Sequence, residues 1–349
     1  MASLEVLPVS RAPVNVSVIG TGAFGRNHVR IYADLAKEGL ARLTAIVDLP
    51  GNDAARALAA AHGAEVYSNV EELLIAVSAG KISLDAASVC VPTSLHAGLA
   101  TALLDGGIHV LVEKPIASSL EDADVLLQRA AANRKVLQIG HLERFNPAVV
   151  AVLPHLTRPM FFECHRLSVF TPRSLDIDVV LDLMIHDLDI VLRMAGSQVC
   201  EIRAVGLPVL SNHADIANVR LEFGSGCVAN LTASRVSTEK VRKLRLFQPH
   251  QYISIDYARQ DAFRIEVSAN ADPAPASSTG GQFNMDGLQF HKLPVQPGEP
   301  LRLEIEAFLQ AVRSGQPSPV PAQESRDALA LALAVNGEMA RHAAKTSLH

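Results

Sequence analysis

Cysteine is scarce in this chain and carries no pattern. Cys90, Cys164, Cys200 and Cys227 lie far apart, with no CxxC and no other zinc-ligand spacing. A disulfide scaffold and a zinc ribbon are therefore excluded, and reduced, mostly buried thiols are expected. Long apolar runs are missing too. No stretch approaches the ~18 residues that span a bilayer, and no basic segment leads into an apolar one near the first residue. A cytoplasmic protein with no membrane partner is expected. Nor is there an excess of positive charge: 31 Lys and Arg stand against 36 Asp and Glu, for a net charge of −5. Electrostatics thus give no case for a nucleic-acid partner. The one basic stretch, Lys240, Arg242, Lys243 and Arg245, alternates with Val241, Leu244 and Leu246, the pattern of a strand with one wet face. No internal repeat is present. What remains is a globular composition, 49% hydrophobic over 349 residues, long enough that two domains are expected.

The first domain is organised around Gly20-Thr21-Gly22-Ala23-Phe24-Gly25. This GxGxxG loop follows the β-branched run Val14 to Ile19 and leads into the helical pattern that starts at Arg26. The three glycines do different mechanical work. Gly20 allows the tight turn, Gly22 a close backbone approach to a pyrophosphate, and Gly25 close packing of helix on strand. The N–H groups that open the helix would hold the anion. Asp48 ends the next strand pattern, at the distance where an acid binds the adenosine ribose hydroxyls. Leu49, Pro50 and Gly51 follow it, with no arginine for a 2′-phosphate, so NAD is expected rather than NADP. Strand and helix patterns then alternate up to Val136 to Ile139, which predicts a parallel, doubly wound α/β sheet of the Rossmann type. Ligands of such a sheet lie at the carboxyl ends of its strands. There the chain places Pro92, Thr93 and His96 after one strand, and Glu113 and Lys114 at the end of the next. Together with the six loop residues and Asp48 they make up the expected cofactor-binding set.

Beyond Pro147 the grammar changes. Strand patterns follow one another with short turns such as Gly224-Ser225-Gly226, which predicts an α+β domain with an open, mostly antiparallel sheet. The expected domains are 13–145, binding the dinucleotide, and 146–349, binding substrate and making a homodimer or homotetramer through its sheet. Residues 269–299, rich in Pro, Ala, Gly and Ser, read as a long loop that could order on substrate binding. Helices are predicted near Leu301 to Ser314 and Ser325 to Ala344.

The chemistry is expected on an apolar helix, Val179 to Met194. Asp182 and His186 are four apart and Asp189 three further on, so all three share one face. Carboxylates one turn away on each side would orient the imidazole for work as a general base. A salt-bridged surface face is the alternative, and the surrounding apolar residues argue against it. The same residues could ligate a metal, but no second histidine at metal spacing supports that, and none is expected. Lys114, where the nicotinamide end of a dinucleotide would lie, can hydrogen-bond a reacting oxygen and stabilise its charge. Arg144 and Asn146, at the passage between the domains, are candidates for contact with substrate.

With these residues assembled, the chain resembles the Gfo/Idh/MocA oxidoreductases from about Asn15 to Ala344. The likeness rests on GTGAFG with Asp48, on Glu113-Lys114-Pro115, on the Asp182/His186 spacing, and on Glu299-Pro300-Leu301 to Phe308. It implies that Lys114, Asp182 and His186 form the catalytic set, with His186 as acid/base. Many members have glycine where Met184 stands, a difference that bears on the shape of the substrate pocket. Glu143 to Pro147, Asp182 to Asp187 and Tyr252 to Tyr257 look most like the branch that holds UDP-N-acetylglucosamine 3-dehydrogenases. That implies a nucleotide-sugar substrate, with Arg144, Arg166 and Arg173 as candidate donors to its diphosphate. A dehydrogenase of a free sugar or inositol, and a dinucleotide sensor without turnover, are the alternatives.

Overall fold

The structure, a computed structural model, describes residues 12–171, 177–267 and 288–346. The first stretch alternates as expected: β1 (Val14–Ile19), α1 (Gly25–Lys37), β2 (Ala41–Val47), α2 (Asp53–His62), β3 (Glu65–Tyr67), α3 (Val70–Ser78), β4 (Ala86–Val89), α4 (His96–Asp105), β5 (His109–Glu113), α5 (Leu120–Ala132) and β6 (Leu137–Gly140). All ladders are parallel, in the order β3-β2-β1-β4-β5-β6. Every residue of β4 and β6 is buried, as a parallel sheet covered on both faces requires. The strand order reverses between β1 and β4, and in such sheets the crevice at that switch point takes the ligand.

The second stretch holds α6 (Pro147–Val152), β7 (Phe161–Leu167), a π-helical turn over Val180–Met184 that runs into α7 (Ile185–Ala195), then β8 (Val199–Leu207), β9 (Ile216–Phe223), β10 (Val228–Ser234), β11 (Val241–Gln248), β12 (Gln251–Asp256), β13 (Asp261–Val267) and β14 (Leu288–Lys292). They form an eight-stranded sheet in the order β14-β13-β12-β11-β7-β10-β9-β8. Only β7 and β10 pair in parallel, with Phe162 opposite Ala229 and Cys164 opposite Leu231. Alternate residues of one face, among them Phe162, Cys164, Leu244, Leu246, Ile253 and Ile255, share a core with Ile185, Leu188 and Val191 of α7. On the opposite face Phe161, Phe247, Tyr252 and Phe263 form an aromatic ladder, with ring centroids 5.5, 5.0 and 6.2 Å apart.

Two expectations change. Residues 288–292 of the supposed 269–299 loop form β14 on the edge of β13; 268–287 lie outside the described residues. A five-residue edge strand beside a Gly- and Pro-rich tract has too short an alternation to stand out. The second change concerns the domains. The chain divides into two compact units at Leu142/Glu143, Gly298/Glu299 and Leu329/Ala330, so residues 299–329 return to the first unit. Within them α8 (Pro300–Ser314) buries Leu301, Ile305, Phe308 and Leu309 in one core with Val16, Val29 and Ile31. Gln138 of β6 ties it down, donating to the Glu304 carbonyl at 3.0 Å and accepting from the Ser318 hydroxyl at 2.8 Å. The last helix, α9, covers Ala322–Thr346. No helix of the described residues is long and apolar enough to cross a membrane.

Candidate active site

The glycine loop fits a dinucleotide. Gly20 sits at φ +86°, and a Cβ on it would lie 2.7 Å from the Cys90 carbonyl oxygen; one on Gly25 would lie 1.9 Å from the Gly20 oxygen. Both positions are glycine because the chain itself leaves no room. Gly22 differs: a Cβ there would meet nothing within 4 Å. Nothing among the described residues demands glycine at 22, whereas a pyrophosphate close against the backbone would. The helix start agrees. Asn52, Asn69 and Ser119 cap α2, α3 and α5 with side-chain hydrogen bonds, but Phe24 before α1 supplies none. No capping side chain therefore stands over the start of α1, although the Arg26 and Asn27 N–H groups already donate to the Gly22 and Phe24 carbonyls at 3.1 and 2.9 Å.

Asp48 is already aimed at the loop. Its Oδ2 accepts from the Thr21 N–H at 2.7 Å and from the Thr21 hydroxyl, while Oδ1 accepts from Leu49 N–H at 2.7 Å. Burial pushes this carboxyl up, and the hydrogen bonds from Thr21, Asn52 and Leu49 outweigh it, so its pKa lies below the usual carboxylate value. The result is a fixed, ionised acceptor beside the glycine loop, where a ribose hydroxyl can take the place of one of these donors. Ala23 and Phe24 are exposed in the same loop, and Thr93 and Lys114 are partly exposed beside exposed Pro92.

His96 and Glu113 have other partners than those expected. His96 is buried, with Nδ1 2.8 Å from the Pro115 carbonyl oxygen and Nε2 2.9 Å from that of Val91. Both ring nitrogens are therefore spent within the protein. The Glu113 carboxylate is buried against His28, Oε1 to Nε2 at 3.0 Å. Direct polar contact of these two side chains with cofactor gives way to an internal role.

The helix expected to carry the acid and base starts from a cap. Oδ1 of Asp178 accepts from Val180 and Leu181 N–H at 2.8 and 3.0 Å, and Asn336 holds its Oδ2 at 2.9 Å. The expected single α-helix is instead a π turn over Val180–Met184 that gives way to α7 at Ile185. Such turns are rare and gather at functional sites. Asp182 stands in the π turn and His186 one turn on, both half-buried.

The neighbours of His186 are pinned from below. Asp187 takes Arg166 in a bidentate pair, Nε to Oδ2 at 2.8 Å and Nη2 to Oδ1 at 2.9 Å; Arg166 Nη1 reaches Glu143 Oε1 at 3.0 Å. Burial works against the charge of Arg166, but Asp187 and Glu143 outweigh it and raise its pKa. Its guanidinium carbon also lies 5.3 Å from the centre of the Tyr257 ring. Arg144 grips Asp189 with Nε on Oδ2 at 2.7 Å and a second bond from Nη2 to Oδ1, both side chains buried.

These contacts bear on three expectations. Asp189, expected as a second carboxylate beside His186, accepts from Arg144 with both oxygens. Arg144 and Arg166, expected to reach a substrate diphosphate, spend these bonds on buried carboxylates of α7 and on Glu143; Arg173 lies outside the described residues. Asn146, expected to touch substrate, donates to Glu143 Oε2 at 3.0 Å and the Tyr257 carbonyl at 3.1 Å, and its oxygen accepts from Ala148 N–H at 3.1 Å. Its amide is occupied in capping α6. No group of three or more His, Cys, Asp or Glu among the described residues could hold a metal. All four cysteines are free, and Cys200 is exposed.

Comparison with known proteins agrees with this geometry. A model of an oxidoreductase family with an NAD-binding Rossmann fold matches residues 14–141, and a Gfo/Idh/MocA C-terminal domain matches residues 156–251. UDP-N-acetylglucosamine 3-dehydrogenase of Acidithiobacillus ferrooxidans is 34% identical over 92% of this chain and 96% of its own. Its solved structure matches with a TM-score of 0.81, covering 93% of this chain and 96% of that one. Inositol 2-dehydrogenase 2 of Paenarthrobacter aurescens is 27% identical over 93% of this chain and 95% of its own. A levoglucosan dehydrogenase solved with NADH shares the fold at a TM-score of 0.81 and 17% identity, over 94% of this chain and 97% of that one. The chain is an NAD-binding oxidoreductase and belongs to the Gfo/Idh/MocA family.

Proposed function

We propose that the protein oxidises the 3-hydroxyl of UDP-N-acetylglucosamine to a ketone, passing hydride to NAD. One observation carries the substrate: the 34% identity to a UDP-N-acetylglucosamine 3-dehydrogenase that extends over 92% of this chain and 96% of that protein. The dinucleotide supplies the hydride acceptor. On the side of the protein, His186 takes the hydroxyl proton, Asp182 orients it, and Lys114 stabilises the oxygen as charge develops. With Arg144 and Arg166 internally committed, Arg242 is the better candidate for the anionic end of the substrate. It lies opposite Arg166 on β11, half-buried, and its Nε has no hydrogen-bond partner among the described residues.

A panel of UDP-sugars, free hexoses and inositols with NAD tests this, with NADH followed by absorbance and products identified by mass spectrometry. UDP-N-acetylglucosamine should turn over and yield a 3-keto sugar, and Arg242→Gln should raise its KM while leaving the KM for NAD in place. Oxidation of inositol with UDP-sugars inert would favour the second reading, which the inositol dehydrogenase relative supports. Free cysteines suit a reducing cytoplasm as the place of reaction.

Cofactor choice gives a separate expectation. The carboxylate of Asp48, ionised and oriented by Thr21, should repel a 2′-phosphate. NAD should bind at least about tenfold more tightly than NADP, about 1.4 kcal/mol, and Asp48→Asn should narrow that gap. Fluorescence titration with both dinucleotides checks it; equal affinity in the parent protein would sink it.

A further inference from the structure

Lys114 stands just past the point where the sheet stops holding the chain. The last β5–β6 partners are Glu113 and Gly140, and the last β4–β5 partners are Val89 and Val112. No ladder position includes Lys114 or Pro115, so contacts outside the sheet act on their placement. Two buried histidines supply it from opposite sides of Lys114 in sequence. His28 of α1, wholly buried, binds the carboxylate of the residue before, with Nε2 3.0 Å from Glu113 Oε1. His96 of α4 binds the carbonyl of the residue after, with Nδ1 2.8 Å from Pro115 O, and ties it through Nε2 to Val91 O at 2.9 Å. The ring thus lies between the segments that follow β4 and β5, with a carbonyl of each within hydrogen-bond distance of one ring nitrogen.

The Glu113 arm is built into the backbone as well. A Cβ on Gly140 would lie 2.9 Å from both carboxylate oxygens of Glu113. Only glycine leaves room for this carboxylate to turn inward to His28. The ring of His28 is itself held between Phe24 and Tyr32, at centroid distances of 5.6 and 6.5 Å. Phe24 belongs to the glycine loop, so the loop that fits the cofactor and the tripeptide that carries Lys114 share one histidine.

We propose that His28 and His96 are positioning residues that clamp Glu113-Lys114-Pro115 and so fix where the Lys114 ammonium is presented. The proposal rests on the role given to Lys114 above. A lysine side chain with four rotatable bonds is a poor electrophile unless its base is fixed, and a displacement of about 1 Å can cost about 10²-fold in rate. Burial outweighs the pull of the two carbonyls and lowers the pKa of the His96 ring, so the neutral ring, with one N–H, is favoured and donates to one of these carbonyls at a time.

Side-chain shape allows a sharp test. Glutamine places its amide nitrogen where Nε2 stands, and asparagine places it where Nδ1 stands. His28→Gln therefore keeps the bond to Glu113, and His96→Asn keeps the bond to Pro115, whereas His28→Leu and His96→Leu keep neither. Two readouts are taken on variants whose thermal midpoints are recorded. The first is kcat and the KM for NAD. The second, which needs no substrate, is the rate at which an amine-directed reagent such as trinitrobenzenesulfonate labels Lys114 relative to the other lysines, read by peptide mass spectrometry. The leucine variants should lose about 10- to 100-fold in kcat with KM for NAD changed by less than about threefold, and label Lys114 at an altered rate. His28→Gln and His96→Asn should restore both. Parental labelling of Lys114 in both leucine variants would overturn the clamp, as would losses that follow the thermal midpoint alone without rescue. Should Lys114→Met itself retain turnover, the role of Lys114 fails while the labelling arm still decides the clamp.

Discussion

His186→Ala is expected to lower kcat by about 10²–10⁴ with little change in the affinity for NAD. The size follows from the role proposed for the ring. Without a positioned base the alcohol proton must leave to water as hydride departs, and general-base catalysis contributes about that much. Affinity for NAD should hold because the glycine loop and Asp48 belong to the other unit of the chain and take no residue from α7. The fold should hold too. His186 is half-buried, while its neighbours Ile185, Asp187 and Leu188 carry the packing and the ion pair. Steady-state kinetics beside dinucleotide titration and a thermal melt checks all three points. A variant with near-parental kcat would remove His186 from the mechanism. Asp182→Asn should give a smaller fall, since it acts through the ring.

How far the sequence could be read depended on whether the partner of a residue was local. Gly20, Gly22, Gly25 and Asp48 were legible because turn, helix start and ribose acid recur at fixed spacing. A strand such as Ile216–Phe223 was legible because buried residues alternate along it with residues of the other face of an antiparallel sheet. Periodicity told that α8 packs on something, but not that its core lies with β1 and α1, nearly 300 residues upstream. Arg144 and Arg166 show the same limit. An arginine beside a cleft and an arginine under a helix look alike in sequence, and the carboxylates that claim these two lie 45 and 21 residues away. The His28–Glu113 pair spans 85 residues and left no local trace. Nothing in the apolar pattern of 179–194 separates a π turn from an α turn, since both bury nearly the same face.

Removing Arg166 is expected to cost about 3–5 kcal/mol of stability. Its side chain is only 2% exposed, and it answers two carboxylates, Asp187 and Glu143, which are 3% and 4% exposed. Arg166→Met keeps much of the volume and removes the charge, so both carboxylates are left buried with their main counter-charge gone. That state is far worse than never having buried them. Urea unfolding followed by circular dichroism should show the loss. A second variant separates lost charge from lost packing. Arg166→Lys keeps a cation beside both carboxylates and should recover part of the loss, although it gives up the bidentate geometry. An Arg166→Lys protein as unstable as Arg166→Met would assign the effect to packing and hydrogen-bond geometry. A deficit under about 1 kcal/mol at pH 7 would mean that Asp187 and Glu143 find other partners, and that the floor beneath His186 does not depend on this arginine.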